Sequence, residues 1–334
     1  MPNSRLGIET RAITEGALMA VLTAVLALAG IYIPLLEIVV MLVWTLPVVV
    51  VCMRHGMRAG AVTMAVAGLI IMMISTPMVA FDMVLRSAGA ALLIGNGFRH
   101  RWRTEKTLLY TAIAAFAGMV LNLLVTTMVM GISIMDMFIV DTETVNEMVA
   151  LFADYGLLDS FGASAEEMAN TIHSMFSTMR LIFPGALLVY GLMSAVSNYL
   201  AADFVLRKLK IPTPPVTKLS TLRLPSLMIF GFLLGFGMTI LGFSLWPQEP
   251  MVVTVGQNIT VVFMALYMFQ GLGMLLFFIN KTQPGTKGFL KFVLIASVFM
   301  TFFGILSIIA YIGIADAIFD FRKIEVMPIE TKEE

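Results

Sequence analysis

Apolar residues in this chain run in long blocks separated by short polar punctuation, and alternation of the strand type is absent. A membrane-crossing helix needs about 20 mostly apolar residues. Measured against that length, blocks at 13–33, 36–53, 59–75, 79–98, 107–131, 181–206, 226–246, 255–280 and 289–313 predict nine spans. The second is interrupted by Pro47, and the fourth is weakened by Asp82 and Arg86. The fold class is therefore all-α, a polytopic transmembrane helical bundle. The first block contains Ala27-Leu28-Ala29, which resembles a signal-peptide cleavage site. Its apolar character nevertheless continues from Ala17 to Ile33, past the roughly 7–15 residues of a secretory h-region. It reads as an uncleaved span.

One connecting segment, 132–180, is long and acidic, carrying Asp136, Asp141, Glu143, Glu147, Asp154, Asp159, Glu166 and Glu167. Ser164-Ala-Glu-Glu167 has the pattern of a capping box opening a helix. Met168, Ile172, Met175, Phe176 and Met179 follow at helical spacing on one face. This predicts an amphipathic helix lying at the membrane surface. A lid or docking surface over an outward-facing cavity is the functional alternative.

Composition supports the lipid setting. Hydrophobic residues make up 59% and charged residues 13% of the 334, and the mean hydropathy is +0.95. Soluble domains carry about 25% charged residues, so lipid must solvate much of this chain.

The net charge is zero, but its distribution is informative. Cytoplasmic loops hold lysine and arginine in excess. With the N-terminus inside, the inner segments hold Arg5 and Arg11; Arg54 and Arg58; Arg99, Arg101, Arg103 and Lys106. Further along they hold Arg207, Lys208, Lys210, Lys218 and Arg223, then Lys281, Lys287 and Lys291. These are 16 of the 21 basic residues, and Arg180 is the outer exception. The expected location is the bacterial cytoplasmic (inner) membrane. Nine spans put the C-terminus outside, where Arg322 and Lys323 are balanced by Asp316 and Asp320; a ninth helix that fails to cross keeps it inside. The corresponding division is a six-span bundle at 1–206, a basic cytoplasmic linker at 207–225, a three-span bundle at 226–323 and a polar tail at 324–334.

Catalytic signatures are missing. Cys52 is the single cysteine, which excludes an internal disulfide and a cysteine-based metal cage. His55, His100 and His173 lack metal-ligand spacing, and Pro284-Gly-Thr-Lys-Gly288 is a turn rather than a phosphate loop. No enzyme activity, cofactor, metal or nucleic-acid partner is expected. Any ATP hydrolysis coupled to this chain would belong to another polypeptide.

Ionisable groups at membrane depth are costly and mark candidate sites. Asp82 and Arg86, four residues apart on one helix face, form either a self-neutralising pair or a polar anchor for an entering solute. Asn122 and Asn198 have the same two readings, interhelical hydrogen bonding or solute binding. Asp203 beside Arg207 reads as a structural pair, and Gln257, Asn258 and Gln270 as structural polar groups. Gly16, Ala20 and Ala24 form a smooth stripe, repeated by Ala61/Ala65 and Ala114/Gly118. Such stripes let helices approach closely in lipid, within the bundle or against a separate membrane subunit.

Several stretches together resemble the YybS-like family of bacterial membrane proteins of unknown function. They are Arg11-Ala-Ile-Thr-Glu-Gly16, Arg54-His-Gly-Met-Arg58, Leu224-Pro-Ser226 and Asp316-Ala-Ile-Phe-Asp-Phe-Arg-Lys323, and the resemblance covers nearly the whole length. The first six spans of that family are similar to the substrate-binding S-components of energy-coupling-factor vitamin transporters. The matching features here are the Arg54–Gly60 turn and the stripe of Gly16, Ala20 and Ala24, the face that in S-components meets the energy-coupling membrane subunit. The resemblance implies a six-helix, S-component-like half that captures a small solute on its outer side. This sequence adds three spans and an outer insert to that pattern.

Two functions follow as expectations. The first is a small-solute binding or transport subunit lacking its own ATPase, with Asp82, Arg86, Asn122 and Asn198 as polar contacts and the first-span stripe docking an energy-coupling partner. The alternative is a membrane scaffold or regulator that recruits partners through its basic loops, above all Arg99-His-Arg-Trp-Arg103, a cluster equally suited to anionic lipid headgroups.

Overall fold

The structure, a computed structural model, describes residues 3–215, 219–245, 250–300 and 304–323. Lys218, Trp246 and the tail 324–334, named in the span and charge assignments above, lie outside the described residues. Every regular element among the described residues is helical. Among the described residues, seven helices are long and apolar enough to cross a bilayer, and two shorter apolar helices, Val39–His55 and Ser307–Phe319, stand near the second and ninth expected spans. The chain divides into two compact units, Met1–Phe183 with Leu187–Val216, and Pro184–Ala186 with Thr217–Glu334.

The first unit opens with α1 (Asn3–Tyr32). The second expected span is two pieces, α2 (Glu37–Val43) and α3 (Leu46–His55). The break falls at Trp44-Thr45, where Pro47 enters the first turn of α3, the position in a helix that tolerates the missing N–H. Gly56 joins α3 to α4 (Met57–Ile74) in a one-residue turn at φ +98°, a conformation that glycine adopts without a Cβ clash. Thr76 caps α5 (Pro77–Arg99) by accepting from Val79 N at 3.3 Å. A short turn leads to α6 (Thr104–Met130). Gly118 of α6 lies so close to the Leu85 carbonyl of α5 that a Cβ there would collide with it, so the Ala114/Gly118 pair serves packing inside the bundle.

The acidic segment forms α7 (Thr142–Asp154) and α8 (Leu157–Phe161) before entering α9 (Ala165–Lys208). Ser164 and Glu167 make both arms of the expected capping box. The amphipathic stretch differs from expectation. It is the leading part of a single 44-residue helix that continues into the sixth span, roughly 66 Å at 1.5 Å per residue. No break separates the two parts, and Ile172 with Met168 and Phe176 packs with Val145 and Val149 of α7. Met175 and Met179 of the same face stay exposed.

The second unit contains α10 (Met228–Leu245), α11 (Pro250–Lys281), α12 (Pro284–Met300) and α13 (Gly304–Phe319). The ninth expected block falls on α12 and α13, with 301–303 outside the described residues. Gly271 on α11 and Gly313 on α13 each abut a backbone carbonyl of the facing helix, Ile309 and Tyr267. Neither position has room for a side chain, and the two backbones cross in direct contact.

Candidate functional site

Within the first unit, the last turn of α1, the short α2, the first half of α5 and Tyr190 of α9 enclose a cavity of about 260 Å³. Ala27, Gly30 and Ile31 form its α1 wall, Val40, Met41 and Trp44 its α2 wall, and Val79 and Met83 the apolar part of α5. The break in the second expected span lies beside it, with Glu37 at the start of α2 and Trp44 at its end both in the lining. Gly30 holds α2 close, since a Cβ on it would meet the Val40 side chain.

The polar lining is compact. Asp82 and Arg86, one turn apart on α5, face the cavity with Ser87, Glu37 and Tyr190. Arg86 binds Asp82 through Nη2 to the carboxylate and Nε to the Asp82 carbonyl at 3.3 Å. Both side chains remain about one-third exposed, so the pair is neutralised without being sealed from an incoming group. The carboxylate of Glu37 makes no hydrogen bond or ion pair among the described residues, leaving the lining with one negative charge in excess.

Two other expected contacts are not brought to this cavity. Asn122 is buried at 6% exposure on α6 and does not line it. Asn198 donates to Ser194 O at 2.8 Å within its own helix. Glu37, Trp44 and Tyr190, which the sequence did not single out, take their place. Glu37 had one visible sign, an acidic residue standing alone between two apolar blocks.

The opposite end of α1 carries a second polar cluster. Glu15 pairs with Arg54, and His55 Nε2 donates to its other oxygen at 2.8 Å. Arg99 Nη1 donates to the Arg54 carbonyl at 2.9 Å, placing a cation at the carbonyl end of α3. Two stretches that carry the family resemblance, 11–16 and 54–58, therefore meet here. Arg54, Arg58, Arg99, Arg101 and Arg103 are exposed. From Glu15 to Gly30 along α1 is about 22 Å, so this cluster and the cavity occupy opposite ends of the same helix.

The expected docking stripe is corrected by packing. Ala20 and Ala24 are 0% exposed, Gly16 is buried, and a Cβ on Gly16 would lie 3.2 Å from Thr63 Oγ1 of α4. Ala20 and Ala24 are thus used inside the bundle, and Gly16 lies against α4.

The second unit contains a polar node that sequence spacing did not reveal. Asp316 Oδ2 accepts from Arg322 Nη2 at 2.7 Å, Arg322 Nε at 3.0 Å and Gln270 Nε2 at 3.0 Å. Arg322 also donates to the carbonyls of Ser220 and Leu222, at 3.0 and 2.8 Å. Gln270 Oε1 accepts from Leu224 N at 3.1 Å. Stretches 224–226 and 316–323 are thereby tied together.

Residues 21–317 match a family described as "Predicted membrane protein (DUF2232)". The chain is also similar to the uncharacterized protein YybS of Bacillus subtilis (strain 168), 21% identical over 314 residues, which is 94% of this chain and 98% of that one. No solved structure matches.

Proposed function

The chain belongs to the DUF2232 family of membrane proteins, and we propose that its first unit binds a small solute, as a binding or transport subunit that leaves any ATP hydrolysis to a partner polypeptide. The observation that carries this reading is the gathering of Asp82, Arg86, Glu37 and Tyr190 around one cavity. Charges at membrane depth cost at least about 2.5 kcal/mol each, and they persist where a function uses them. Small-molecule sites combine apolar walls with a few convergent polar groups in about 300–1,000 Å³. At about 260 Å³, this cavity falls just below that range and suits a compact ligand.

The proposed setting is the bacterial cytoplasmic membrane with the N-terminus inside. Exposed arginines at 54, 58, 99, 101 and 103 support it, since basic loops stay cytoplasmic; the cavity, at the other end of α1, then faces outward. An S-component-like first half, as the sequence resemblance implies, would capture its solute from that side. With the Gly16–Ala24 stripe buried, an energy-coupling partner must use another surface.

The test is purification of the full chain in mild detergent, with native mass spectrometry for retained small molecules and copurifying proteins. A retained solute that disappears in Asp82→Asn or Arg86→Gln supports the reading. An empty protein, no ATPase partner and unchanged solute uptake in a deletion strain would overturn it. Partner recruitment abolished by neutralising Arg99, Arg101 and Arg103, with no solute bound, would favour the scaffold alternative.

A further inference from the structure

We propose that the cavity selects a small organic monocation, an amine or quaternary ammonium group on a compact apolar body. This deepens the solute-binding reading and rests on it. Three observations converge. First, the charges do not cancel: Arg86 is already held by Asp82, so the carboxylate of Glu37 is left over. A cation neutralises that carboxylate, a neutral ligand leaves it uncompensated, and an anion meets repulsion in a setting where nearby lipid weakens screening.

Second, the same lining includes two aromatic side chains. Trp44 is only 2% exposed, yet it is part of the cavity wall, and Tyr190 faces it from α9. A cation over an aromatic face is attracted by the ring quadrupole, most strongly for Trp, and desolvation strengthens the contact. Third, the remaining wall is aliphatic or thioether, from Ala27, Ile31, Val40, Met41, Val79 and Met83. That wall rewards an apolar body and penalises a polyhydroxylated one.

The arrangement assigns distinct parts. Glu37, exposed at the start of α2, meets the cation first. Trp44 holds its apolar or cationic face. The Asp82–Arg86 pair stays neutral overall, and its partly exposed edge can accept from an ammonium through the second carboxylate oxygen.

The experiment uses the full chain in detergent and three phenyl-bearing probes of similar size: phenethylammonium, neutral 2-phenylethanol and anionic phenylacetate. Binding is read by thermal unfolding and isothermal titration, in wild type, Glu37→Gln and Trp44→Leu. The expected result is measurable binding of the cation, at least tenfold weaker binding of the other two, and a loss of roughly three- to tenfold for the cation in Glu37→Gln. Glu37 is exposed and its side chain makes no hydrogen bond or ion pair among the described residues, so Glu37→Gln separates charge from folding even if Trp44→Leu is destabilised. If the neutral or anionic probe binds as well as the cation, or Glu37→Gln leaves cation binding unchanged, the monocation assignment is overturned while the cavity stands as a binding site. If none of the three binds, the assignment also falls; a solute of any other charge retained on purification would then preserve the broader reading, and an empty protein would remove both.

Discussion

Arg322 and Asp316 are six residues apart, a spacing that does not align side chains on a helix, yet their side chains meet at 2.7 Å with 1% and 3% exposure. The chain achieves this by turning back after α13: Asp320 adopts φ +48° and Lys323 φ +43°. Arg322 returns beside the helix end and satisfies two carbonyls of the 219–224 segment at the same time. A buried pair so heavily hydrogen-bonded is costly to break from one side, about 3–5 kcal/mol when one partner is removed.

Asp316→Ala is therefore expected to destabilise the second unit by about 3–5 kcal/mol, leaving the Arg322 guanidinium buried without its carboxylate. The double variant Asp316→Leu/Arg322→Met should recover part of the loss. Chemical unfolding in mixed micelles, followed by the fluorescence of a probe in the second unit, measures both. Equal stability of wild type and Asp316→Ala would show that the node contributes little.

Burial of the α1 stripe makes a separate prediction. Ala24→Leu introduces three heavy atoms where exposure is 0%, and overpacking of this kind costs about 1–3 kcal/mol. The isolated protein should melt at lower temperature. A variant that keeps full stability alone but fails to retain a membrane partner would restore the docking role that the packing argues against.

The cap of α7 gives a pH prediction. Asp141 caps α7, accepting from Thr144 N at 2.7 Å. The Thr144 amide, followed by the Thr144 side chain, holds the Asp141 carboxyl below its usual value. A lowered folded pKa means that the cap's contribution is complete above the unfolded value of about 3.9 and is lost as pH falls through the folded one. Amide protection factors at the start of α7, measured by hydrogen exchange, should hold steady from neutral pH to about 5 and decline below the unfolded value. Asp141→Ala should abolish that decline and show low protection throughout.

Local chemistry is what the sequence announced well. The Ser164–Glu167 capping box, the Asp82–Arg86 pair, the Asp203–Arg207 pair at 2.7 Å and the break near Pro47 all depend on neighbours within one turn. The apolar blocks announced the helical membrane class for the same reason. The cavity was half legible: α5 supplied residues with a recognisable spacing, whereas Glu37, Trp44 and Tyr190 join it through contacts between helices far apart in sequence. Asn122 and Asn198 show the converse, polar groups at membrane depth that are used away from the cavity, Asn198 on its own helix. The stripe of Gly16, Ala20 and Ala24 announced close helix approach correctly but not which helix approaches. The amphipathic run at 168–179 was legible as a helix, but its partner, α7, was not.

Solute access from outside underlies the whole account, and site-directed labelling tests it most directly. Cys52 is 0% exposed and does not compete with an introduced thiol. With Glu37→Cys and Arg103→Cys in separate chains, a membrane-impermeant maleimide applied to intact spheroplasts should modify position 37 and spare position 103 until the cells are lysed. Labelling at 103 with protection at 37 would place the cavity on the cytoplasmic side and contradict capture of a solute from outside.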